Sequence, residues 1–187
     1  MACLSALLVT AAPFAATARA DTIEEKAAVC SSCHGEKGVP TDKEIPVIWG
    51  QQEGYLYLQL RDFKKGARKN EVMGQIASTL ERDDMRELAA YFAAKPWPNL
   101  GQPSASDADV KEAKTANSAV GCSACHLEQF QGTGSVPRLS GQSHDYLAKT
   151  LADFRSGAWA NNPGMTSLAQ ATPEPDLKAM ESYLAGL

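Results

Sequence analysis

Apolar side chains recur at intervals of three and four residues along much of the chain, which is the spacing of one face of an α-helix. One such stretch runs from Tyr55 to Phe63, and Gly66 follows it as a residue suited to end a helix. No stretch alternates apolar and polar residues in the way that a half-buried β-strand does. The pattern therefore predicts an all-α protein.

The helical pattern occurs twice along the chain. Residues 30–34, Cys-Ser-Ser-Cys-His, return as residues 122–126, Cys-Ser-Ala-Cys-His. Residues 45–51 return as residues 136–142, with a shared Pro and a shared Gly-Gln pair. A duplication of this kind predicts two similar domains. Further matched pairs are Tyr55 and Tyr146, Phe63 and Phe154, Gly66 and Gly157, Asn70 and Asn161, Met73 and Met165, and Tyr91 and Tyr183.

A proline-rich stretch separates the two copies. Three prolines and one glycine fall within residues 95–104. Such a composition is typical of a linker with limited flexibility. We therefore predict a first domain over residues 21–95, a linker over residues 96–105 and a second domain over residues 106–187.

Residues 1–20 have the pattern of an export signal. A short apolar run that contains Pro13 is followed by Ala18-Arg19-Ala20, the small-x-small form that a signal peptidase cleaves. No Lys or Arg precedes the apolar run, so either the signal is weak or its natural start lies upstream. Export predicts a periplasmic protein. No later stretch is long enough to span a membrane, which leaves peripheral membrane association open.

Composition and charge narrow the class of protein without identifying it. Apolar residues make up 44% of the chain and charged residues 21%, which is ordinary for a globular protein. The formal net charge of −4 argues against a protein whose main task is to bind nucleic acid.

The two Cys-x-x-Cys-His motifs indicate the chemistry. Two thiols separated by two residues can bond the two vinyl groups at one edge of a haem. The His that follows can then bind the iron from the proximal side. The motifs predict two covalently bound haem c groups. The thioether residues are Cys30 and Cys33 for the first haem and Cys122 and Cys125 for the second, and the iron ligands are His34 and His126.

Three other uses of paired cysteines fit this sequence less well. A redox-active pair is typical of a strand–turn–helix setting, which the pattern lacks. A zinc site would bring its Cys pairs closer together than Cys33 and Cys122, and would not need a His after each pair. Disulfides are common in exported chains, yet they give no reason for a doubled Cys-x-x-Cys-His.

The duplication also predicts the sixth ligand of each iron. Met85 and Met180 match leucines in the other copy, so we interpret them as core residues. Met73 and Met165 match each other, and each follows its His by 39 residues in a predicted loop. Thioether and imidazole ligands close both faces of an iron and favour its reduced state. This ligand set indicates outer-sphere electron transfer rather than substrate or oxygen chemistry.

With these motifs in this order and present twice, the chain resembles the dihaem cytochromes of the cytochrome c₄ family over nearly all of residues 22–187. The resemblance implies an all-α fold of two tandem class I cytochrome c domains, related by a pseudo-twofold axis. It implies that the carbonyls of Pro46 and Pro137 accept hydrogen bonds from the two proximal histidines. It also places Asn70 and Asn161 in the loops beside the Met ligands.

The predicted function is that of a periplasmic electron carrier. It would pass single electrons between a dehydrogenase or quinol-oxidising complex and a terminal oxidase or reductase. The same features fit the dihaem cytochrome subunit of a dehydrogenase complex. A haem enzyme acting on a small molecule is a further alternative, and it would require an open iron.

A cluster of basic residues precedes Met73 in the sequence. A solvated helix face explains such a cluster, and a docking patch for an acidic redox partner is the alternative. The second copy differs here, because Trp159 stands where the first copy has Arg68. We therefore expect the two haem surroundings to differ in polarity. The cluster consists of Arg61, Lys64, Lys65, Arg68 and Lys69.

Overall fold

The structure is a computed structural model that describes residues 22–187. The predicted export signal at residues 1–20 lies outside the described residues. The described chain is helical, and its only β-bridge is an isolated pair between Thr133 and Val136. The predicted all-α class is confirmed. The helices are α1 (Ile23–His34), α2 (Glu53–Lys64), α3 (Glu71–Ser78), α4 (Arg82–Ala93), α5 (Asp107–Val120), α6 (Cys122–His126), α7 (His144–Ser156), α8 (Pro163–Ala171) and α9 (Glu174–Ala185).

Helices α1–α4 form the first half of the molecule. Thr22 begins α1 with a capping box, because its hydroxyl accepts from the Glu25 backbone N–H while the Glu25 carboxylate accepts from the Thr22 N–H. Helix α2 packs against α3 and α4, and α1 packs against α4. The buried core between them consists of Ala27, Leu56, Leu88, Ala89 and Phe92.

Helices α5–α9 repeat this arrangement in the second half. Helix α5 packs against α9, and α7 packs against α8 and α9. The helix that carries the Cys-x-x-Cys-His motif is continuous in α1, whereas here it is interrupted at Gly121, which adopts a left-handed φ of 79° and separates α5 from α6. The buried core consists of Ala113, Ala116, Phe130, Leu147, Ala179, Met180, Leu184 and Ala185.

Both methionines that were predicted to lie in loops lie in helices. Met73 is the third residue of α3, and Met165 is the third residue of α8. The loop prediction was wrong because each helix is short and depends on a side-chain cap rather than on a long apolar stripe. Asn70 caps α3 and Asn162 caps α8.

Two glycines let the linker lie against both halves. Gly50 and Gly141 have φ values of 67° and 73°, which L side chains rarely adopt. A Cβ on Gly50 would lie 2.9 Å from the Trp97 backbone nitrogen, and a Cβ on Gly141 would lie 3.1 Å from the Trp97 indole nitrogen. The repeated Gly-Gln pairs therefore meet at Trp97. Among the described helices, none has both the length and the apolar character needed to cross a bilayer.

Candidate haem-binding sites

The first Cys-x-x-Cys-His motif forms the C-terminal end of α1. Cys30 is half-buried against the core of the first half, whereas Cys33, one turn later, is exposed. Both thiols are free. Burial raises the pKa of the Cys30 thiol, so this thiol is protonated at neutral pH. The helix thus presents two thiols next to an apolar surface.

The second motif occupies the short helix α6. Cys122 is half-buried against the core of the second half and Cys125 is exposed, as in the first motif. Asn117 fixes the helix start, because its amide oxygen accepts from the Ser123 N–H at 2.8 Å and its amide nitrogen donates to the Ser123 hydroxyl at 3.1 Å. The side chain of Asn117 therefore compensates for the interruption of the helix at Gly121.

The two motif histidines are buried and held in the same way. The Nδ1 atom of His34 lies 2.8 Å from the carbonyl oxygen of Pro46, and Nδ1 of His126 lies 2.9 Å from the carbonyl oxygen of Pro137. Burial lowers the pKa of both imidazoles, which are therefore neutral at pH 7. A carbonyl can only accept, so each Nδ1 carries the proton and each Nε2 keeps its lone pair. A lone pair on Nε2 is what an iron ligand requires.

The methionines are placed by the asparagine caps. The Asn70 amide oxygen accepts from the Met73 N–H at 2.9 Å, and the Asn162 amide oxygen accepts from the Met165 N–H at 3.1 Å. The structural counterpart of Asn70 is therefore Asn162. The sequence match had paired Asn70 with Asn161, which was wrong because the extra residue of the second copy lies before the cap and not after it.

Asn161 instead lies between the two halves. Its amide nitrogen donates to the Asp62 carboxylate at 3.1 Å and lies 3.4 Å from the Gln59 amide oxygen. Both partners belong to α2 of the first half. Asn161 thus connects the halves rather than supporting Met165.

The residues at both motifs fit a covalently attached haem. The described residues contain no cluster of three or more His, Cys, Asp or Glu that could hold a metal ion alone. Each motif offers two free thiols and one imidazole lone pair beside apolar side chains that are only partly buried. Trp49, which packs against the same core as Cys30, has a buried Nε1 donor with no partner among the described residues, and such a donor suits a carboxylate of a haem. The partly buried apolar side chains that pack against the same core as Cys30 include Ile48, Trp49, Tyr57, Leu60 and Leu80.

Comparison with known proteins gives the family of the chain. The cytochrome c family model matches residues 110–187. Cytochrome c4 of Azotobacter vinelandii is 36% identical over 180 residues, which cover 87% of this chain and 86% of that protein. The chain belongs to the cytochrome c4 family. The reduced cytochrome c4 of Pseudomonas stutzeri superposes with a TM-score of 0.78 at 31% identity, over 88% of this chain and 96% of that structure.

Membership of the cytochrome c4 family confirms the resemblance, the two-domain class I cytochrome fold and covalent haem c. It also confirms that the chain is an electron-transfer cytochrome. A further relative is the thiosulfate dehydrogenase electron acceptor of Stutzerimonas stutzeri, 33% identical over 174 residues, which cover 86% of this chain and 80% of that protein.

Fewer residues of the basic cluster present a free charge at the surface than the sequence of this cytochrome c4 family member suggests. Arg68 is only 5% exposed, and its guanidinium stacks on the rings of Phe63 and Trp159, 4.7 and 3.8 Å from their centroids. Arg61 pairs with Asp62 at 2.8 Å. Lys65 and Lys69 remain exposed and form no ion pair with a described residue. The sequence did not reveal the burial of Arg68, because nothing local shows that Trp159 of the other half covers it.

Proposed function

We propose that the chain binds two haem c groups, one in each half, and carries single electrons through them. Cys30 and Cys33 hold the first haem and Cys122 and Cys125 hold the second. His34 and Met73 bind the first iron, and His126 and Met165 bind the second. The observation that carries the proposal is the duplicated buried imidazole with its Nδ1–H fixed on a proline carbonyl.

The contribution of this chain to electron transfer is to hold the proposed iron ligands rigidly. The bound haem supplies a one-electron couple at its iron. The carbonyls of Pro46 and Pro137 fix the tautomer and the orientation of each imidazole. The caps at Asn70 and Asn162 fix the backbone of each Met. Ligands that stay in place when the charge changes keep the reorganisation small.

An anaerobic redox titration of the purified protein tests this function. We expect two one-electron transitions per chain and no change in the absorption of the reduced protein when carbon monoxide is added. Carbon monoxide binding by the native protein would contradict closed ligation and favour a haem enzyme. A single transition that accounts for only one electron per chain would contradict the dihaem assignment.

The proposed setting is the periplasm, with one redox partner on each side of the carrier. The predicted export signal and the covalent haem chemistry support this location. Electrons would enter from a dehydrogenase or a quinol-oxidising complex and leave to a terminal oxidase or reductase. Peripheral association with the membrane would bring the carrier close to partners of this kind.

A second candidate function is electron acceptor of a dehydrogenase that oxidises a sulfur compound. The 33% identity to the thiosulfate dehydrogenase electron acceptor of Stutzerimonas stutzeri supports it. The exposed Lys65 and Lys69, next to the helix that carries Met73, would then face an acidic surface of the donor.

Charge reversal at Lys65 and Lys69 tests the docking surface. With a thiosulfate dehydrogenase and thiosulfate as the donor system, we expect the Lys65→Glu, Lys69→Glu protein to be reduced about tenfold more slowly at low salt. The difference should shrink as ionic strength rises, since exposed charges are screened. The Lys111→Glu, Lys114→Glu protein changes two exposed lysines on α5 and is the matched control. Equal rates for all three proteins at low salt would rule out this surface, and no reduction of the native protein would rule out this donor.

A further inference from the structure

Two glutamine side chains cross between the halves and clamp one backbone residue each. Gln142 of the second half accepts from the Val47 N–H at 2.9 Å and donates to the Val47 carbonyl at 3.1 Å. Gln51 of the first half accepts from the Arg138 N–H at 2.7 Å and donates to the Arg138 carbonyl at 2.9 Å. Both glutamines are almost fully buried, at 2% and 3% exposure. The contacts are reciprocal, as a twofold arrangement requires.

The clamped residues directly follow the two prolines that hold the histidines. The N–H of Val47 and the carbonyl of Pro46 belong to the same planar peptide group. One side of this peptide accepts from His34 Nδ1 at 2.8 Å, while the other donates to Gln142 at 2.9 Å. A continuous hydrogen-bond chain therefore runs from the imidazole of the first half to a side chain of the second half.

The second half contains the same chain in the opposite direction. The peptide that joins Pro137 to Arg138 accepts from His126 Nδ1 at 2.9 Å and donates to Gln51 at 2.7 Å. Each imidazole is thus linked through one peptide group to a glutamine of the other half.

We propose that Gln142 and Gln51 are positioning residues that tune the haem of the opposite half. A peptide whose N–H is hydrogen-bonded has a more polarised carbonyl, because linked hydrogen bonds strengthen one another. The more polarised carbonyl forms a stronger hydrogen bond with the Nδ1–H group, and this bond makes the imidazole a more basic ligand. A more basic ligand stabilises ferric over ferrous iron and lowers the midpoint potential. This inference rests on the proposed haem ligation by His34 and His126.

Other contacts between the halves connect them without touching these peptides. The Gln52 amide nitrogen donates to the carbonyls of Gln131 and Gly132 at 3.0 and 3.2 Å. The Ser143 hydroxyl donates to the carbonyl of Lys43. Docking therefore does not depend on Gln51 and Gln142 alone. Gln52 offers a matched control, since it is the neighbour of Gln51 and also crosses the interface.

Alanine variants test whether each glutamine acts on the haem of the opposite half. In Gln142→Ala the midpoint of the haem on His34 should rise, and in Gln51→Ala that of the haem on His126 should rise. We expect about a threefold change in the ratio of reduced to oxidised haem at a fixed potential, which for a one-electron couple is about 28 mV. The midpoint of the haem in the variant's own half, and both midpoints in Gln52→Ala, should stay unchanged. Single Met73→Ala and Met165→Ala proteins assign each midpoint to its haem.

Nuclear magnetic resonance gives a second readout at the histidines. In the reduced protein with ¹⁵N-labelled histidine, the Nδ1–H signal of His34 should move in Gln142→Ala, and that of His126 should move in Gln51→Ala. A shift in the variant's own half, an equal shift in both halves, or no shift at all would overturn the proposal.

A methionine variant covers the case in which the alanine variants do not fold. Gln142→Met keeps nearly the length and volume of the glutamine side chain but makes neither hydrogen bond to Val47. The midpoint of the haem on His34 should then rise, with Gln52→Met as the matched control. An equal rise in Gln52→Met would overturn the proposal. A haem-to-chain ratio of two, together with no carbon monoxide binding by these proteins, would show that the proposed attachment and closed ligation stand whatever the outcome of this test.

Discussion

Replacing Met73 or Met165 with alanine is expected to open one haem iron per chain to exogenous ligands. Each variant should keep both haems, because the Cys-x-x-Cys-His attachment is unchanged. The loss of a thioether ligand should lower the midpoint of that haem by on the order of 0.1 V, since a Met ligand favours the reduced state. Carbon monoxide titration of the reduced protein should give one bound molecule per chain in each single variant and two in the double variant.

Two other methionines provide the controls for this experiment. Met85 in α4 and Met180 in α9 are 5% and 4% exposed and belong to the apolar cores. Met85→Leu and Met180→Leu should therefore leave ligand binding and both midpoints unchanged. The far-red absorption band that Met ligation gives ferric haem should be halved in each single alanine variant. Native absorbance and native midpoints in the alanine variants would show that these methionines are not ligands.

Replacing Arg68 with alanine is expected to have the largest effect on stability. Its guanidinium lies between the rings of Phe63 and Trp159 and donates to Gln59 at 2.8 Å and to the Tyr146 hydroxyl at 2.9 Å. Removal leaves a void between two aromatic rings and takes a donor from the buried Tyr146 hydroxyl and from the partly buried Gln59 amide oxygen. We expect a loss of about 2–4 kcal/mol in the free energy of unfolding, measured by urea denaturation of the haem-loaded protein.

The Arg68→Lys substitution distinguishes the contribution of the positive charge from that of the planar guanidinium. Arg68→Lys keeps the positive charge but loses the planar fork that stacks on the rings and bonds two acceptors at once. This variant should lose at least half as much stability as Arg68→Ala. Lys69→Ala removes an exposed neighbour and should change the free energy of unfolding by less than about 0.5 kcal/mol. If Arg68→Ala were as stable as the native protein, the buried guanidinium would not hold the two halves together.

The parts of the fold that follow from local sequence could be predicted. Helical spacing of apolar residues and the Cys-x-x-Cys-His motifs lie within short windows, and the duplication is visible when two such windows are compared. These signals led to the all-α class and to His34 and His126 as candidate ligands. Helices α3 and α8 escaped the same reasoning because they are short and begin at Asn caps. The position of an insertion next to a repeated asparagine is ambiguous in sequence, so Asn161 was matched where Asn162 performs the role.

Contacts between the halves were beyond prediction for a different reason. Nothing near Arg68 in the sequence shows that Trp159 covers it, and its basic neighbours made it look like part of an exposed patch. Gln51 and Gln142 stood out only as members of a repeated Gly-Gln pair. Their role depends on which residue of the other half each glutamine contacts. These contacts are decided by how the two domains dock and not by the sequence of either domain alone.

The most direct test of the central claim is the mass of the purified, exported chain under denaturing conditions, combined with its haem content by alkaline pyridine spectroscopy. Covalent attachment at both motifs predicts a single species that carries two haem groups per chain after unfolding. A Cys30→Ser, Cys33→Ser protein should retain one. A native chain that carries one haem, or that releases its haem on unfolding, would contradict the account.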